Sequence, residues 1–112
     1  MTEVPKIAVV GAGSWGTAFS NALALKGLKV TLWARRPEVA DSIQEAHQNP
    51  DYLADVFLTP RLRATSDLEQ AVEGAEVVVM AVPSHGFREV VREVSRYAAG
   101  RPPIVSLAKG LE

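Results

Sequence analysis

Cysteine is absent from this sequence, which excludes disulfides, thiolate metal ligands and cysteine nucleophiles together. Also missing is any apolar stretch near the ~20 residues that a membrane-spanning helix requires. The first residues, Met1-Thr2-Glu3-Val4-Pro5-Lys6, lack the long apolar core and small-residue cleavage site of a secretory signal. Neither sign of charge dominates: 12 basic and 13 acidic side chains leave a net charge of −1. A general binder of nucleic acid or of an anionic membrane surface would carry a basic excess. These absences lead us to expect a soluble, cytoplasmic protein with no nucleic-acid partner and no membrane insertion. The two histidines, His47 and His85, have no carboxylate or second histidine at metal-ligand spacing, so no metal is expected. A proton-transfer role for His85 near the site is the less favoured reading. Repeats and low-complexity segments are absent too.

What is present is the composition of one globular domain: 112 residues, 47% of them apolar. A chain of this length buries about two-thirds of the surface that its unfolded form exposes. Short apolar runs alternate with helical patterns. Ile7-Ala8-Val9-Val10 predicts a strand buried on both faces. Residues 15 to 26 predict a helix with Ala18, Ala22 and Leu25 on one face and Gly27 as its stop. Val30-Thr31-Leu32-Trp33-Ala34 predicts a second strand, and Pro37 suits the first position of the next helix, where its missing N–H costs nothing. That helix carries Val39, Ile43 and Ala46 on one face.

A polar loop is expected from Gln48 to about Arg61, then a weak strand over Leu62 to Thr65. Ser66-Asp67-Leu68-Glu69 has the spacing of a capping box, opening a helix that ends at Gly74. Val77 to Val82 predicts a strand. After Pro83 follows a helix that buries Phe87, Val90, Val91 and Val94 and turns Arg88, Glu89, Arg92 and Glu93 to solvent. Ser84 suits its N-cap and has no base partner for nucleophilic work. Ile104 to Leu107 predicts a fifth strand, with an open edge that invites self-association; Lys109-Gly110 follow it. This alternation implies a doubly wound α/β fold, a parallel sheet with helices on both faces.

Gly11-Ala12-Gly13-Ser14-Trp15-Gly16 stands between the first strand and the first helix, in the βαβ context that turns a weak motif into a specific one. There Gly11 permits the tight turn, Gly13 lets the backbone approach a pyrophosphate, and Gly16 lets helix and strand pack closely. The free N–H groups and positive dipole end of the helix would receive the phosphate charge. No G-K-[ST] follows, so this is not a Walker-type loop. At the end of the second strand an NAD-selective site or a methyl-donor site would place an acidic residue on the ribose hydroxyls. Ala34-Arg35-Arg36 stands there instead. Two guanidinium groups suit a 2′-phosphate, which they grip bidentately. One charge-assisted contact of ~1.5 kcal/mol gives about a tenfold preference for NADPH over NADH.

These residues resemble the opening of bacterial-type NAD(P)-dependent glycerol-3-phosphate dehydrogenases. The resemblance rests on Gly11-Ala12-Gly13-Ser14-Trp15-Gly16-Thr17-Ala18, His47-Gln48-Asn49-Pro50-Asp51-Tyr52-Leu53, Ala81-Val82-Pro83-Ser84 and Ser106-Leu107-Ala108-Lys109-Gly110-Leu111-Glu112, in the family's order and spacing. It implies a Rossmann-type N-terminal domain, here residues 1–112. The implied reaction interconverts dihydroxyacetone phosphate and sn-glycerol 3-phosphate by hydride transfer with NADPH (or NADH), for glycerophospholipid synthesis. It implies cofactor contacts at Ser14, Trp15, Arg35, Arg36, Tyr52 and Lys109, with Lys109 also reaching substrate as a catalytic residue. From position alone Lys109 reads as a solvated lysine, so its role rests on the resemblance.

Family members continue into a helical substrate domain with a further catalytic lysine. The sequence stops at Glu112, so we expect cofactor binding without turnover by these residues alone, and a homodimer as the candidate assembly of the full-length protein. Two other readings stay open: the first domain of a 3-hydroxyacid or ketopantoate reductase, and a non-catalytic dinucleotide-binding module.

Overall fold

The apolar run Ile7 to Val10 lies in strand β1 (Lys6–Val10), the middle strand of a five-stranded parallel sheet. The computed structural model describes residues 5–52, 55–82, 84–98 and 102–106. The sheet contains β1, β2 (Lys29–Trp33), β3 (Arg63–Thr65), β4 (Val77–Met80) and β5 (Ile104–Ser106), in the spatial order β3-β2-β1-β4-β5. Adjacent strands all run parallel, with Val10 level with both Trp33 and Met80, Trp33 with Thr65, and Met80 with Ser106. The order reverses between β1 and β4. In such sheets the crevice beyond the carboxyl ends of the strands at this switch point is where ligands bind.

Helices cover both faces, as the alternating pattern predicts: α1 (Ser14–Leu25), α2 (Pro37–Asp41, continued by a wide π turn over Ser42–Ala46), α3 (Leu68–Val72) and α4 (Ser84–Tyr97). Side chains of a strand point alternately to its two faces. Ala8 and Val10 accordingly join Val78, Met80 and Trp33 against α3 and α4, while Val9 joins Leu32, Val79 and Ala81 against α1 and α2. Leu58 and Leu62 are fully buried in the second cluster. Burying a leucine contributes about 2 kcal/mol, so these two anchor the long connection between the π turn and β3. The last strand lies at the sheet's edge with Ile104 and Val105 exposed.

Four expectations need correction. The face of α1 that meets the sheet is Gly16, Thr17, Ser20 and Ala24, and Ala18, Ala22 and Leu25 face solvent. Counting apolar residues misplaces this face because its hydroxyls are satisfied within the protein: Ser20 Oγ donates to the Gly16 carbonyl at 2.6 Å. In the second helix Val39, Ala40 and Ile43 are buried and Ala46 is exposed. The backbone widens into the π turn and ends at His47 in the left-handed conformation, φ 59°.

The cap of α3 is Asp67, one residue later than the Ser66 capping box. The Gln70 N–H donates to Asp67 Oδ1 at 3.3 Å, and the Ser66 carbonyl instead accepts from Trp33 Nε1 at 2.9 Å. The strand limits differ by a residue or two from those expected; β4 stops at Met80 rather than Val82, and Leu107 lies outside the described residues. The helix stops at Gly27 and Gly74 hold, both with positive φ. We predict that Asp67→Ala lowers stability by about 1 kcal/mol, whereas Ser66→Ala costs less than about 0.5 kcal/mol. Urea unfolding midpoints of the two variants check the assignment.

Candidate functional site

The site begins where β1 ends. Gly11 turns with φ 123°, its N–H donating to the Trp33 carbonyl at 3.0 Å. A β-carbon there would sit 2.7 Å from the Ala81 carbonyl group, which is main chain and cannot give way. At Gly16 a β-carbon would strike the Gly11 carbonyl oxygen and lie 3.2 Å from Ala81 Cβ. These two glycines are therefore required by the protein itself, because loop, α1 and the end of β4 pack backbone to backbone. Gly13 is different. It has ordinary negative φ, and a β-carbon there would meet no protein atom within 4 Å.

Gly13 is also the N-cap of α1, and no side chain caps the helix. The N–H groups of Ser14, Trp15 and Gly16 have no acceptor within the helix, and the first helical bond is donated by Thr17 N to the Gly13 carbonyl. Free donors at a helix start, with a partial positive charge, form a ready anion site. The open space over Gly13 is the cradle that a diphosphate would fill. Ser14 and Trp15 are exposed beside it, Trp15 by 54%.

Behind the loop lies a residue that the sequence reading did not single out. Asn49 is completely buried. Its Nδ2 donates to the Ala12 carbonyl at 2.8 Å and to Thr17 Oγ1 at 2.9 Å, while its Oδ1 accepts from Asp51 N and Tyr52 N, both at 3.1 Å. Both amide protons and both lone pairs are thus used. Asn49 ties the glycine loop and the first turn of α1 to the connection that carries Tyr52. The available signal was Asn49-Pro50, a turn initiator, but its partners in the glycine loop and α1 lie more than 30 residues away in sequence. Tyr52 is half-exposed, on the surface of that tethered segment.

The two arginines at the end of β2 are both exposed, but differ in freedom. Arg36 Nη1 donates to Asp51 Oδ2 at 2.6 Å and its Nε to Glu38 Oε2 at 3.1 Å. The Glu38 hydrogen bond, then Asp51, raise the Arg36 pKa; Glu38's own backbone N–H, then Arg36, hold the Glu38 carboxyl below its usual range. Among the described residues no ion pair engages Arg35. Its Nη2 lies 3.7 Å from the position a β-carbon would take at Gly86, so it reaches from β2 toward the first turn of α4. The structure therefore brings Gly11, Gly13, Ser14, Trp15, Gly16, Arg35, Arg36 and Tyr52 to one edge of the sheet. Lys109 and Pro83 lie outside the described residues, and so do the side chains of Ser84 and His85.

Residues 6–112 match the family model described as the N-terminus of NAD-dependent glycerol-3-phosphate dehydrogenase. The chain belongs to that family. It is 46% identical over 109 residues to the glycerol-3-phosphate dehydrogenase (NAD(P)+) of Rhodospirillum rubrum, an overlap of 97% of this chain and 31% of that protein. The crystal structure of glycerol-3-phosphate dehydrogenase from Coxiella burnetii superposes with a TM-score of 0.85 at 36% identity, covering 96% of this chain and 34% of that one. A ketopantoate reductase from Ralstonia eutropha shares the fold with a TM-score of 0.72 and 27% identity, over 88% of this chain and 32% of that one. The chain thus spans about a third of the length of the curated relatives it matches. Among the described residues no helix is long and apolar enough to cross a membrane, and no group of three or more His, Asp or Glu could hold a metal.

The family's glycine loop depends here on a buried amide, which gives a stability test. Asn49→Ala removes four hydrogen bonds and strands buried partners, a loss of about 3 kcal/mol. Chemical unfolding measures it; a loss below about 1 kcal/mol would show that water replaces the amide.

Proposed function

We propose that this chain is the coenzyme-binding part of a glycerol-3-phosphate dehydrogenase. It binds NADPH or NADH with the pyrophosphate at the start of α1, Arg35 facing the ribose 2′-substituent, and Trp15 and Tyr52 flanking the coenzyme. The reaction is the interconversion of dihydroxyacetone phosphate and sn-glycerol 3-phosphate, in glycerophospholipid synthesis. The bound reduced nicotinamide supplies the hydride. Lys109, which follows β5 in sequence, is assigned to hold the substrate and stabilise charge on its ketone oxygen. In this reading residues 1–112 form the coenzyme domain of a cytoplasmic enzyme, with the rest of the substrate pocket and a second catalytic lysine outside them; a homodimer is the proposed assembly. Family membership favours this over a ketopantoate reductase, whose fold resemblance is weaker.

One observation carries the proposal: Gly13 is needed by nothing in the protein, while Gly11 and Gly16 are. Gly13→Ala should therefore shift the melting temperature by only a few degrees, because alanine's narrower unfolded ensemble offsets its poorer N-cap preference, while weakening both coenzymes at least about tenfold. Titration followed by tryptophan fluorescence, with a thermal melt alongside, reads both. Unaltered binding in this variant would remove the pyrophosphate from Gly13.

At the ribose end, Arg35→Ala should weaken NADPH about tenfold and NADH far less. Equal losses for the two coenzymes, measured by calorimetry, would take Arg35 off the 2′-phosphate.

A further inference from the structure

The rim that would meet the coenzyme's ribose is electrically balanced. Arg35 and Arg36 bring two positive charges, and Asp51 and Glu38 bring two negative ones, both of them bonded to Arg36. Asp51 is not a chance neighbour of Arg36. Its N–H is held by Asn49 Oδ1, and Asn49 is locked to the glycine loop through Ala12 and Thr17. The carboxylate is thus delivered to Arg36 by the same buried residue that registers the phosphate cradle. It is also the less exposed member of the pair, 34% against 58% for the arginine.

We infer that Asp51 is a specificity-determining residue: held by Asn49, it occupies Arg36 and withholds that guanidinium from the ribose 2′-substituent. This rests on the coenzyme reading above. A 2′-phosphate brings close to two negative charges and must compete with Asp51 and Glu38 for Arg36, whereas a 2′-hydroxyl brings none. Arg35 alone is left to favour the phosphate. The carboxylates thereby keep the preference for NADPH small, and the site remains open to both coenzymes. An arginine side chain can grip carboxylate and phosphate alike with its planar fork, so the allocation of Arg36 is a matter of which anion is nearest and best held.

The test is Asp51→Asn, which keeps the shape and removes the charge, with Glu38→Gln as a second variant that leaves the tethered loop untouched. Dissociation constants for NADPH and NADH are measured calorimetrically on the 112-residue chain, with thermal melts to confirm folding. In Asp51→Asn, NADPH should bind about fivefold tighter while NADH changes by less than about twofold. The gain should disappear in the Asp51→Asn/Arg36→Ala double variant and shrink in about 1 M salt, since the groups are exposed and screened. Glu38→Gln should shift the ratio in the same direction.

An unchanged coenzyme ratio in both single variants overturns the inference. So does equal weakening of both coenzymes, which would make Asp51 a loop anchor only. A loss confined to NADH also overturns it, because Asp51 would then be an acceptor for the ribose hydroxyls. Failure of the unmodified chain to bind either coenzyme is a separate result: it removes the proposed function, and this inference with it.

Discussion

Three backbone N–H groups at the start of α1 have nowhere to donate within the helix, and most of the local architecture keeps them so. A side-chain cap would satisfy them and close the site, but the N-cap is Gly13 and offers no side chain. Neighbouring glycines fix where those donors point. Gly11 bends the chain under the Ala81 carbonyl, and Gly16 lets the helix rest directly on that bend. The sheet order places this corner at the reversal between β1 and β4, where neighbouring crossovers lead in opposite directions and leave a crevice. In the proposed reading, anion affinity would arise from main-chain groups that the fold leaves unpaired.

Main-chain donors alone would make a soft site. Its rigidity comes from Asn49, which spends its whole hydrogen-bonding capacity on the loop, on α1 and on the segment bearing Asp51 and Tyr52. A buried amide with every bond made is favourable, and with any bond missing it is costly. This all-or-none character couples the two ends of the candidate site, the phosphate cradle and the arginine rim. The exposed ion pairs of Arg36 add little stability by themselves; under the proposed function their effect would be on which charges face the ligand.

Much of this was legible from residue order. The strands could be read, though not their exact limits, because runs such as Ile7 to Val10 and Val77 to Val82 are too short for helices and are followed by glycine or proline. The glycine loop could be read because strand, loop and helix follow one another without interruption. Local polar chemistry obscured the rest. Thr17 and Ser20 look like surface residues, yet their hydroxyls bond to Asn49 and to the Gly16 carbonyl, so apolar periodicity points to the wrong face of α1. Asp67 displaced Ser66 as the cap because the same four-residue spacing recurs one step later, at Asp67 and Gln70. Asn49 was hidden by sequence distance, and the unequal freedom of Arg35 and Arg36 depends on Glu38 and on a second carboxylate 15 positions beyond Arg36.

The unpaired amides at the start of α1 are the proposed holders of a dinucleotide's diphosphate. Backbone amide NMR of the chain, titrated with NADPH, addresses those groups one by one. The expected result is large, saturable shifts for the amides of Ser14, Trp15 and Gly16 and for that of the adjoining N-cap Gly13, all following one dissociation constant. Should these four signals stay fixed while amides elsewhere move with saturation, the ligand sits somewhere else and the account is wrong.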